Sequence, residues 1–111
     1  MTIRKACHVA GVGALLLAGT LPHPAEAARY VIEIRNMTFG AVPSHLKVGD
    51  TIVWANRDIF RHTATARLGN FDIDLAPGAQ GEATLKKPGV LNVVCRYHPT
   101  MTLRLVVEKG P

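Results

Sequence analysis

Cysteine, aromatic side chains and runs of like charge are all scarce in this sequence, and each scarcity excludes something. Only Cys7 and Cys95 occur in 111 residues. If the first 27 residues are removed, as the leader pattern below predicts, Cys95 stands alone and no intramolecular disulfide can form. The aromatics are three Phe, two Tyr and one Trp, and no basic run is longer than Lys86-Lys87. Nucleic-acid binding needs a basic stripe interleaved with stacking rings, so it has no support here. A membrane span is also missing, because the firmly apolar part of the N-terminus, Val9 to Leu21, falls short of the roughly 18 residues that a spanning helix requires. Beyond residue 28 there is no linker, repeat, low-complexity segment or helical period.

What the N-terminus does contain is an export pattern. Arg4 and Lys5 give a positive start, Ala6 to Leu21 carry no charge, and Ala25-Glu26-Ala27 matches the small-x-small cleavage site of a secretory signal peptide. The expectation is cleavage after Ala27, leaving a single domain over 28–111 that is exported, and periplasmic if the source is a Gram-negative bacterium. Removing residues 1–27 takes Lys plus Arg from 13 to 11 and Asp plus Glu from 8 to 7, a net charge of +4. The remaining 84 residues are near the lower limit for a core that is stable unaided, and a metal could add to it. The scattered basic excess is compatible with attraction to an acidic protein partner.

Turn signals recur along the domain. Val48-Gly49-Asp50, Ala76-Pro77-Gly78 and Lys87-Pro88-Gly89 separate short runs in which apolar residues alternate. Ile32 with Ile34, Ile52 with Trp54, Leu91 with Val93 and Cys95, and Leu103 with Leu105 and Val107 each share a parity. Period-two alternation predicts half-buried strands, here near 30–37, 46–48, 51–56, 61–66, 71–74, 80–85, 90–95 and 102–108. The fold class is therefore all-β, a two-sheet sandwich of about seven or eight strands.

Strand parity also points to a site. Cys95 shares a face with Leu91 and Val93, and His62 with Ala64 and Ala66, so both should face inward, while Arg61, Thr63 and Thr65 face outward. Pro99 disfavours helix at His98, so the loop between Cys95 and Thr102 must double back, bringing His98 and Met101 near the sulfur. Two imidazoles, a thiolate and a thioether form the ligand set of a blue-copper centre. Thiolate and thioether suit Cu(I), imidazole suits both oxidation states, and a geometry acceptable to both limits rearrangement when an electron moves.

The segments VGDTIVWANRD, RHTAT, LAPGAQGEATLKKPGVLNVVCRYHPTM and LRLVVEK, spanning about Tyr30 to Lys109, resemble the plastocyanin and amicyanin branch of the cupredoxins. The C-x-x-H-x-x-M spacing is closest to amicyanin, since plastocyanins carry a longer His-to-Met interval. The resemblance implies a Greek-key β-sandwich holding one copper ion, with His62, Cys95 and His98 as equatorial ligands and Met101 as the axial one. It implies a monomeric carrier of single electrons between larger redox proteins, not an enzyme. One position departs from the pattern: many members have Asn directly after the upstream histidine, where it ties the ligand loops together, and this chain has Thr63.

Other readings of the same residues are weaker. A Cys95–His98 nucleophile would lack an orienting third group and leave Met101 unexplained. Zinc would favour a second cysteine over methionine. A copper chaperone or buffer is the closest rival, but such proteins favour exposed Met-rich or His-rich sites. His45 and Met37 sit in no ligand-like spacing and are expected to be structural or exposed. Trp54 reads as core, and Asp50 as turn chemistry.

Overall fold

A computed structural model describes residues 2–3, 11–16, 18–19, 21, 26–68 and 70–110. Much of the expected leader, including Cys7, His8 and His23, lies outside the described residues. No helix among the described residues is long and apolar enough to cross a membrane.

Nine strands form among the described residues: β1 (Arg29–Arg35), β2 (Thr38–Phe39), β3 (Leu46–Lys47), β4 (Thr51–Asn56), β5 (His62–Ala66), β6 (Asp72–Leu75), β7 (Gln80–Thr84), β8 (Gly89–Val94) and β9 (Thr102–Glu108). They pair into a four-stranded sheet, β2-β1-β4-β7, and a five-stranded sheet, β3-β9-β8-β5-β6. The ninth strand arises because the run expected over 30–37 turns back on itself. Asn36 and Met37 take φ of 49° and 61°, and Arg35 pairs with Thr38 across them. Two consecutive residues with positive φ between paired strands form the tight hairpin connection whose twist matches the flanking strands.

The alternation read from the sequence is the inward face of the sandwich. Ile32, Ile34, Ile52, Trp54, Ala64, Leu75, Val93 and Leu105 are fully buried in one cluster that includes Cys95 and Met101. Trp54 is central, edge-on to Phe39 at 5.8 Å and tilted against Phe71 at 5.9 Å. Its cross-strand partner is Gly81, and a Cβ there would come 2.6 Å from Ile73 Cγ2, so the close approach of the two sheets on this side requires glycine. Asp50 closes the turn before β4: Gly49 takes φ 98°, and the buried carboxylate accepts N–H bonds from Lys47 at 2.8 Å and Ala28 at 2.9 Å. His45 is exposed and faces Glu108, and Met37 sits in the exposed hairpin turn, as expected.

Candidate metal centre

The end of β4, the start of β5 and the end of β8 meet at one end of the sandwich. His62 is the first residue of β5, and Cys95 follows the last residue of β8. Because β5 and β8 are hydrogen-bonded neighbours, the inward histidine of one meets the inward cysteine of the other. Cys95 Sγ lies 3.8 Å from His62 Nδ1 and 3.6 Å from His98 Nδ1. The three donor atoms all fall within 4.8 Å of one another, a grouping able to hold a metal ion.

The loop after Cys95 doubles back as Pro99 predicts. Met101 N–H donates to His98 O at 2.9 Å, and Cys95 N–H donates to Met101 O at 3.1 Å. Met101 is thereby buried beside the cysteine in the same apolar cluster. The two imidazoles stand 4.9 Å apart between centroids. His62 is wholly buried, whereas His98 is half-buried and adjoins exposed Pro99.

Thr63 does at this site what the sequence departure left open. Its hydroxyl accepts the Arg96 N–H at 2.9 Å, and its own N–H reaches Cys95 Sγ at 3.4 Å, so one residue ties β5 to the ligand loop twice. The expectation that Thr63 faces outward holds for its parity, yet the residue is fully buried because the loop after Cys95 folds over it.

Electrostatics favour a thiolate. Burial pushes the Cys95 thiol up, but N–H bonds from Thr63 and Tyr97 and contacts with His62 and His98 together outweigh it and bring it down to about 6. A preformed thiolate flanked by two ring nitrogens suits a soft, imidazole-tolerant metal, and the donor set therefore fits copper.

Two contributors escaped the sequence reading. Asn56 is fully buried at the end of β4, where its Nδ2 donates to Phe60 O at 2.8 Å and Leu75 O at 3.0 Å, shaping the loop that leads to His62. The second is Asp58, whose Oδ2 lies 2.9 Å from His62 Nε2. Hydrogen bonds from His62 and then from the Met37 N–H hold its carboxyl below the usual range. The signals were a polar residue ending an apolar strand and an acid four residues before a candidate ligand.

No family model matches the chain. It is similar to amicyanin from Paracoccus denitrificans, at 30% identity over 118 residues, covering 86% of this chain and 83% of that protein. Among solved structures, a reduced amicyanin mutant matches with TM-score 0.63 and 28% identity, over 72% of this chain and 82% of the other. A Cu(I) form of a second amicyanin mutant matches with TM-score 0.63 and 27% identity over the same shares, 72% and 82%.

Proposed function

This chain belongs to the amicyanin-like cupredoxins, and we propose that it is a small exported blue-copper protein that passes single electrons between larger redox proteins. The observation that carries this reading is the convergence of one donor atom each from His62, Cys95 and His98 within 4.8 Å, with both Nδ1 atoms close to the sulfur, at one end of the sandwich. In this reading those three residues are the equatorial ligands of one copper ion and Met101 is the axial ligand. When bound, copper supplies one-electron exchange between Cu(I) and Cu(II). The leader over 1–27 and a periplasmic location in a Gram-negative source belong to the same proposal.

The chain's own residues do the rest. Packing of Cys95 and Met101 into the core, with the Thr63 bonds across the loops, resists movement of the ligands when the charge of the site changes. His98 lies between the site and solvent, so its exposed edge beside Pro99 is the exit for the electron. Ile59, Phe60 and Tyr97 are exposed around that end of the molecule, with Phe60 edge-on to His98 at 6.5 Å.

The charges flanking this rim are already engaged. Arg61 binds Asp74 through two contacts of 2.9 Å, and Arg96 reaches Asp72 at 3.1 Å. Each arginine is thus neutralised within the chain, and docking at this rim rests on apolar contact instead of on an acidic partner attracted to Arg61 and Arg96. Electron transfer with the native partner should therefore change little between low and moderate salt. A steep fall of the rate with ionic strength, abolished by Arg61→Ser with Arg96→Ser, would restore the charged-docking view.

Burial separates this reading from its rivals. Asp58, His62 and Cys95 line up in the order of a nucleophilic triad, but His62 is 0% and Cys95 2% exposed, so no substrate atom can reach the sulfur. A chaperone or buffer needs ligands open to exchange, whereas only His98 of the four reaches the surface. Retention of copper against a chelator through repeated oxidation and reduction tests the carrier reading, and loss of the metal on first reduction would favour a chaperone.

A further inference from the structure

We infer that Asp58 is a positioning residue for the metal centre: it holds His62 as the Nε2–H tautomer, turning Nδ1 towards Cys95, and its charge favours the oxidised metal and lowers the reduction potential. This inference rests on the copper reading above.

The geometry is that of a carboxylate used only as an acceptor. Oδ2 lies 2.9 Å from His62 Nε2 and accepts the Met37 N–H at 2.8 Å, and Oδ1 accepts the Ile59 N–H at 2.8 Å. The Asp58 N–H in turn donates to Asn56 Oδ1 at 2.9 Å. An acceptor at Nε2 obliges that nitrogen to carry the proton, which leaves the Nδ1 lone pair for a metal. The side chain of Asp58 is only 8% exposed, so its charge acts at short range with little solvent screening. Its neighbours Arg57 and Arg61 do not neutralise it, because they reach Glu33 and Asp74.

The arrangement also anchors the ring from a second strand pair. Met37 occupies the positive-φ turn between β1 and β2, so Asp58 fastens that hairpin to the same imidazole. The other histidine has no such support: among the described residues His98 makes a side-chain hydrogen-bond contact only through Nδ1, to Cys95. The site is therefore asymmetric, with one imidazole held in a single tautomer and orientation and the other left to the surface. A carboxylate behind a ligating imidazole raises the basicity of the ligand, which stabilises the more highly charged metal.

Asp58→Asn is the discriminating variant, because it keeps the shape and removes the charge. All three groups facing the carboxylate are N–H donors, so an amide NH2 must oppose at least one of them. Two readouts are needed. In the metal-free chain, nitrogen-15 NMR of the neutral His62 ring should show one Nε2–H tautomer in the wild type and a mixture in Asp58→Asn. In the copper-loaded chain, Asp58→Asn should keep the blue band and raise the potential by about 59 mV, the one-electron equivalent of a tenfold relative loss of Cu(II) binding. Asp58→Glu, which restores the charge, should return both readouts towards the wild type.

A wild-type His62 ring protonated at Nδ1, or an Asp58→Asn protein with unchanged potential, overturns the inference. A wild-type chain that takes up copper without a blue band defeats the copper reading instead, and the tautomer in the metal-free chain then judges Asp58 by itself.

Discussion

Cys95→Ser is expected to abolish the intense thiolate-to-copper absorption and to weaken copper binding by more than about 100-fold, beyond the range seen when only an outer partner of a ligand is lost. The serine hydroxyl cannot ionise at neutral pH, so the softest donor of the set disappears, and the buried cluster that holds position 95 offers only the weak Met101 thioether in its place. The same substitution has a signature without metal. The wild-type thiol is held down to about 6 by the N–H groups and imidazoles that outweigh its burial. A folded-state value below the unfolded one, about 8.5 for a free thiol, contributes stability that is complete above pH 8.5 and lost as pH falls through about 6. The metal-free protein should therefore gain stability between those limits, measured by denaturant unfolding, with the Thr63 and Tyr97 N–H groups as donors to the thiolate once His62 Nδ1 carries its lone pair, while Cys95→Ser is flat across the window. Equal pH dependence of the two proteins would show that the thiolate is not stabilised by the fold.

The largest effect on stability is expected at Trp54. The side chain is fully buried against Phe39 and Phe71, so Trp54→Ala leaves a large cavity in a small core and should cost roughly 3–5 kcal/mol. Against a total of about 5–15 kcal/mol for a domain, that loss should leave the metal-free variant largely unfolded at moderate temperature. Copper should bind the assembled site of the folded chain more tightly than the unfolded one, so adding it should recover the folded form by mass action. Trp54→Phe should be much milder. The indole Nε1 is buried with no hydrogen-bond partner among the described residues, and phenylalanine removes that unpaired donor while keeping most of the apolar contact. Thermal unfolding of the two variants checks the contrast. If Trp54→Phe is as damaging as Trp54→Ala, the core requires the indole itself and retained apolar volume does not decide the cost.

Most of this architecture was legible because its signals are local. Ile32 with Ile34, Ile52 with Trp54, Leu91 with Val93 and Leu105 with Val107 recur at period two and share the buried face, so the large side chains fix which side of each strand turns inward even where a valine stands between them. The same parity placed His62 and Cys95 inward, and Pro99 forced the return of the loop that buries Met101. What the sequence did not display depends on contacts between segments far apart in the chain. The β1–β2 hairpin turns at Asn36-Met37, and no glycine marks it. The Met37 N–H is held by Asp58, 21 residues away, a contact with no local trace. Thr63 reads as an outward residue by parity and is buried by the Arg96 loop, again from a distant segment. The ion pairs Arg61–Asp74 and Arg96–Asp72 follow from the β5–β6 pairing and from the position of the ligand loop, so the basic excess read from composition did not show that these two charges are paired within the fold.

The central claim is that His62, Cys95, His98 and Met101 hold one copper ion that exchanges electrons without leaving. The most direct test is the visible and EPR spectrum of the purified protein after one equivalent of Cu(II), repeated after ascorbate and after reoxidation with a chelator present. An intense blue band with the narrow copper hyperfine pattern of a thiolate site, bleached by ascorbate and fully restored on reoxidation, is the predicted result. A colourless protein, or one that surrenders its copper to the chelator when reduced, would contradict the claim.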